Sequence, residues 1–151
     1  MNPGLESILK SLGAQISEGV VHDFGDPAAE LIAVRDGSYM ANLAQFGVLT
    51  FTGPDSTEFL QGQLSCDVKA LGRTRASPGS YCTPKGRMLA SFIMWRSGAD
   101  YFLQLPHLLC EPIRKRLSMY VLRSKVQAVD VSDDWKLFGV TGPGEIGRAH
   151  V

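Results

Sequence analysis

In TPKGRMLASFIMWR, residues 83 to 96, Lys85 and Arg87 flank Gly86 on a turn, and one small hydroxyl, Ser91, then interrupts a run of large apolar residues. A glycine turn brings backbone close to a ligand, and arginine can grip a carboxylate through two parallel hydrogen bonds, so the first group suits an anion. The same charges, solvated on a turn, need no ligand. Ser91 poses the sharper question. An unactivated hydroxyl near neutral pH is neither a charge partner nor a useful base, and a serine in such a strand is equally readable as a core residue bonded to its own backbone.

Other reactive types offer less. Cys66, Cys82 and Cys110 are far apart and lack CxxC or Cys/His spacing, which argues against a disulfide framework or a zinc site and for buried reduced thiols. His22 and His107 have no carboxylate or cysteine at a useful spacing, so neither is assigned a metal or catalytic role. TGPDS lacks the lysine and glycine spacing of a phosphate-binding loop. Arg114, Lys115 and Arg116, with Arg123 and Lys125, make either one exposed helix face or a docking patch for an acidic or RNA partner, without aromatic residues interleaved along the sequence.

The elements that must position these residues follow from periodicity. Leu5, Ile8, Leu9 and Leu12 share one helical face between Pro3 and Gly13. EGVVHDFGDPAAE reads as a connection with a short extended piece, Asp36-Gly37 as a hairpin turn, and GVLTFTG as a strand, giving two or three strands before residue 53. Asp55 and Glu58 have capping-box spacing at the start of a helix whose Phe59, Leu60 and Leu64 share a face. GSYCT, GRMLASFIMW and DYFLQLP read as strands, PHLLCEPIRKRLSMYVLRS as a helix with Pro112 as its irregularity, and KVQAVDVSDDWKLFGVTG as a closing hairpin. Taken as β-α-β-β-α-β, the order predicts an α+β fold: a split β-α-β, ferredoxin-like arrangement with a mainly antiparallel sheet.

With 151 residues, one core is expected. The formal net charge of zero supplies no global field to recruit nucleic acid or an anionic membrane, and neither a signal sequence nor a membrane-length apolar run is present, so a cytosolic protein without direct DNA binding is expected. The last residues, EIGRAHV, follow without period or cap and can be encoded by a widely used sequencing-adapter string. We therefore expect residues 145–151 to be a non-native tail, exclude His150 from any site, and take residues 1–144 as an incomplete N-terminal domain.

From VLTFTGPDSTEFLQGQLSCDV through SPGSYCTPKGRMLASFIMWR to MYVLRSKVQAVDVSDDWKLFGVTG, the chain resembles the folate-binding YgfZ family, relatives of the glycine-cleavage T protein, an aminomethyltransferase. The likeness covers residues 46 to 144 and implies the N-terminal part of a T-protein-like fold, tetrahydrofolate as cofactor, and iron-sulfur assembly proteins or their clients as partners, with a link to tRNA modification. The family's Lys-Gly-Cys-Tyr-x-Gly-Gln-Glu segment has no counterpart here, and none of the three cysteines matches it. The resemblance sets Ser91 where the T proteins carry an aspartate beside the folate nitrogen, and Phe46 where the family carries a pterin-stacking aromatic; otherwise Phe46 is a core aromatic. Lys85 and Arg87 would then face the folate glutamate carboxylates. A carboxylate can steady positive charge as a methylene moves and a serine cannot, so the resemblance implies binding without transfer. The competing readings are a transferase using Asp55 or Asp67 instead, and a protein-interaction domain without ligand.

Overall fold

The computed structural model describes residues 3 to 142, so the tail 145–151 and His150 lie outside the described residues. The chain divides into two compact units, one formed by the residues before Phe46 together with those from Lys136 onward, the other by Phe46–Trp135.

In the first unit, α1 (Pro3–Ser11) ends where Gly13 turns to φ +94°, with Gly13 N–H donating to Lys10 and Ala14 N–H to Leu9. That paired closure satisfies carbonyls the helix leaves open, and it needs a residue comfortable at positive φ. β1 (Gln15–Ser17) and β2 (Val20–Asp23) form a hairpin. The Asp36-Gly37 turn expected from the sequence is instead the end of a helix, α2 (Pro27–Asp36). Asp26 caps it, its carboxylate accepting from Ala29 N–H at 3.0 Å, and Pro27 supplies the preset φ of a first turn. Those start signals and the good helix formers after them outweigh a two-residue turn motif. β3 (Tyr39–Asn42) completes this stretch.

The second unit is built on β4 (Phe46–Thr52), whose five central residues are buried. α3 (Ser56–Gln63) follows a bend at Gly53, which holds φ +115° with the Lys125 carbonyl packed where any side chain would begin. The expected capping box does not form. Asp55 turns its carboxylate away to accept from Lys125 N–H at 2.7 Å, and Glu58 pairs with Lys69 at 2.8 Å. Three strands then run in succession, β5 (Ala76–Cys82), β6 (Met88–Ser97) and β7 (Asp100–Pro106), before α4 (His107–Ser118) and β8 (Gln127–Asp130). Pro112 sits inside α4 without splitting it, and the helix stops before the YVLRS segment that the sequence had extended it through. β9 (Phe138–Thr141) belongs to the first unit, where it pairs antiparallel with β3 rather than closing a hairpin on β8.

The fold is α+β with antiparallel sheets, and the five-stranded one has the order β5-β6-β7-β4-β8. One split unit is present: β7 and β8, joined through α4, both pair antiparallel with β4, so they run parallel on either side of it. The wider ferredoxin-like order does not follow. Three strands rather than two separate the helices, so β4 and β5 lie two strands apart and run antiparallel instead of parallel.

One face of this sheet carries the main apolar cluster. Phe59, Leu60, Leu64, Ile113 and Leu117 from the helical side pack with Leu49, Phe51, Phe92, Met94, Tyr101, Leu103 and Leu105. Each large side chain so buried contributes roughly 1.5–3 kcal/mol against leaving it in water. Alternation then sends the intervening residues, Ser91 and Ile93 among them, to the other face.

Candidate functional site

The other face, on which Val48 and Thr50 of β4 are also buried, is ordered in rows by strand register. Phe46 opens β4 opposite Pro106 of β7, and Ile93 of β6 lies opposite Gln104. Continuing that register two residues brings Ser91 level with Pro106, while Ser80 of β5 pairs with Ser91 from the outer side. Phe46 and Ser91 thus share a face and a row with one strand between them, about 10 Å apart at ordinary strand spacing.

The two residues differ in burial. Ser91 is exposed and its hydroxyl bonds to nothing among the described residues, so it is not a core serine satisfied by its own backbone. Phe46 is half-buried at the end of β4, outside the apolar cluster under the sheet. No carboxylate occupies the row Phe46–Pro106–Ser91–Ser80. The two acids that could replace the T-protein aspartate are engaged elsewhere: Asp55 holds Lys125 N–H, and Asp67 accepts from Ala70 N–H at 3.2 Å.

Lys85 and Arg87 belong to the turn between β5 and β6. Thr83 N–H donates to the Arg87 carbonyl and Gly86 N–H to the Thr83 carbonyl, both at 2.8 Å, with Gly86 at φ +77°. This is a three-residue hairpin loop in which a glycine takes the left-handed position. Both cations are exposed and unpaired among the described residues. Arg87 lies four residues from Ser91, about 13 Å along the strand, so the structure gathers Phe46 and Ser91 in one row and sets the two cations apart, beyond the same end of the sheet.

Sequence reasoning passed over the residues that hold β4 in place. Ser132 accepts from Val48 N–H at 3.0 Å and donates to the Asp130 carboxylate, continuing the strand pairing where β8 has ended. Gly47 leaves room for it. A methyl there would lie within 2.7 Å of Cys110 Sγ and 2.9 Å of His107 Nδ1, and against Ser132 Oγ as well. Asp130 and Ser132 two residues apart signal a local turn, but their partners at Gly47 and Val48 are remote in sequence.

The other candidates are accounted for structurally. Cys66 and Cys110 are buried free thiols, and burial pushes both above the ordinary thiol value, the reverse of what a nucleophile needs. His22 Nε2 meets Ser17 Oγ at 2.7 Å across the first hairpin. Arg114 and Lys115 both bind Glu111, whose carboxyl is held down to about 2 by their hydrogen bonds. Among the described residues no His, Cys, Asp and Glu cluster could hold a metal ion, and no helix is long and apolar enough to cross a membrane.

Comparison with known proteins matches residues 21–145 to the family model described as GCVT N-terminal domain. The chain is similar to the tRNA-modifying protein YgfZ of Photobacterium profundum, 34% identical over 104 residues, which cover 68% of this chain and 31% of that protein. It is also similar to the protein of the same name from Colwellia psychrerythraea, 25% identical over 105 residues, covering 70% of this chain and 32% of that one. The chain therefore spans about a third of the length of these curated relatives, 31% and 32%. Among solved structures it is similar to aminomethyltransferase T of the glycine cleavage system from Bartonella henselae, with a TM-score of 0.77 at 16% identity over 92% of this chain and 40% of that one. At that identity the likeness is one of fold.

Proposed function

Because the chain belongs to the GCVT N-terminal domain family, we propose that it is the folate-binding first part of an accessory protein for iron-sulfur cluster assembly or repair, and that it does not itself transfer an aminomethyl group. The observation that carries this reading is the row of Phe46, Pro106, Ser91 and Ser80, an aromatic and two hydroxyls on one face with no acid among them, of which the Ser91 hydroxyl is exposed and the Ser80 hydroxyl donates to Ser65 Oγ at 3.0 Å. An aromatic edge can stack a pterin and hydroxyls can hydrogen-bond its ring atoms, whereas carbon transfer also needs a group that stabilises developing positive charge. Lys85 and Arg87, displaced toward the hairpin tip, suit the anionic tail of a long ligand whose ring lies in that row. The names of the YgfZ relatives favour a role connected with tRNA modification.

Calorimetric titration of the full-length protein with tetrahydrofolate tests the reading. Binding in the micromolar range or tighter, about −8 kcal/mol, is expected. Phe46→Ala should weaken it by roughly tenfold, the value of about 1.4 kcal/mol, within the range of a lost aromatic contact. Unchanged affinity in that variant removes Phe46 from the site, and no folate binding at all favours an interaction domain. Aminomethyl turnover above background that disappears on substitution of Ser91 would establish a transferase instead.

A further inference from the structure

We propose that the end of the five-stranded sheet opposite Phe46 binds the phosphate backbone of a single-stranded RNA segment. This goes beyond the folate reading and does not depend on it. Register places the end of β4 at Thr52, the start of β8 at Gln127, the start of β7 at Asp100, the end of β6 at Ser97 and the start of β5 at Ala76 along one edge. Arg73 and Arg75 lead into β5 at one side of that edge, and Arg123 and Lys125 lead into β8 at the other. Four strand spacings separate the two pairs, about 19 Å, a span that covers several phosphates of a nucleic-acid strand.

These four cations are exposed, and none has an ion pair among the described residues. Arg116, in the last turn of α4, likewise lacks a carboxylate partner, and its Nε is sealed from solvent without an acceptor. Two acids at this end offset part of that charge, Asp55, whose carboxylate accepts from Lys125 N–H, and Asp100 at the start of β7, and against the four cations they leave a positive surplus. The surplus consists mostly of arginines, which bind phosphate through paired hydrogen bonds and stack on bases.

An RNA strand is favoured over an acidic protein by what lies beside the cations. Trp95 pairs in register with Ala76, the residue after Arg75, and stacks on Phe102 with ring centres 5.5 Å apart and planes 13° from parallel. Trp135 meets both rings, at 5.6 Å and 5.3 Å. Unpaired bases stack on aromatic platforms next to basic tracks, and an acidic peptide has no use for them. The sequence concealed this grouping because the aromatics come from β6, β7 and the segment after β8.

The test uses the full chain and a fluorescein-labelled oligouridylate, with anisotropy read across a salt series. Removing three contacts with Arg73→Gln, Arg75→Gln and Arg123→Gln should lower affinity on the order of 50-fold at physiological salt and reduce the salt slope by about 2. Lys10→Gln, which removes a cation already paired with Glu6, should change neither. Both tryptophans lie in the aromatic group, so their fluorescence should quench with oligouridylate and not with inorganic polyphosphate. Absent binding, an unaffected triple variant that melts like the parent, or displacement of the oligonucleotide by polyglutamate as readily as by unlabelled oligouridylate would overturn the proposal.

Discussion

Gly47→Ala gives the clearest test of how the candidate site is held. An alanine at a compatible backbone position usually stabilises a protein by about 0.4–1 kcal/mol, because the unfolded chain loses freedom. Gly47 lies inside β4 without a positive φ, so backbone strain does not enter. The added methyl would sit 2.7 Å from Cys110 Sγ and 2.9 Å from His107 Nδ1, well inside ordinary contact, and would press on Ser132 Oγ. Overpacking of this kind costs about 1–3 kcal/mol. If Ser132 yields, Val48 N–H loses its acceptor, at a further cost of about 1–3 kcal/mol. Setting the entropic gain against these terms leaves a net loss centred on about 3 kcal/mol, which for a chain of this size lowers the melting temperature by roughly 6–12 °C. Circular dichroism melts and urea titrations of parent and variant measure it. Adding Cys110→Ala should recover part of the loss, with a coupling of at least about 0.5 kcal/mol. A Gly47→Ala protein that melts at or above the parent temperature would show that β4 is not locked by this crowding.

Gly53→Ala should cost about 2 kcal/mol or more in urea titration, since φ +115° and the adjacent Lys125 carbonyl both oppose a side chain; an unchanged midpoint would refute the close approach. The buried thiols Cys66 and Cys110 have folded values raised by burial, so their contribution is complete below about pH 8.5, the unfolded thiol value, and is lost as pH rises past it. Urea titrations from neutral to alkaline pH should therefore show falling stability, with a shallower fall in Cys66→Ala/Cys110→Ala; an equally steep fall would assign the effect elsewhere. Ser91→Asp, on an exposed strand position, should change stability by less than about 0.5 kcal/mol. A large loss would mean that the hydroxyl has a structural partner.

Much of the second unit was legible in the sequence because its signals are local. The alternation in β6 assigns Ala90, Phe92 and Met94 to one face and Ser91 to the other, and the structure buries the first set and exposes the second. What alternation does not reveal is which face takes the helices, since that depends on where α3 and α4 pack. Asp36-Gly37 misled for the opposite reason: a short turn motif competed with a capped helix, and the helix had more residues in its favour. The partnership of β9 with β3 and the crowding at Gly47 are contacts across long stretches of chain, invisible to any window reading. The order of five strands was lost by one strand. Because neighbouring strands alternate in direction, that single addition reversed the relation of β4 to β5.

The central place of β4 also has a consequence during synthesis. Both of its neighbours, β7 and β8, are made long after it, and β8 is the last of the five strands in this sheet. At roughly 5–20 residues per second, the most buried strand of the unit leaves the ribosome several seconds before either flanking strand exists. A nascent chain stalled before Gln127 would carry that strand half-paired and available to chaperones or to other copies.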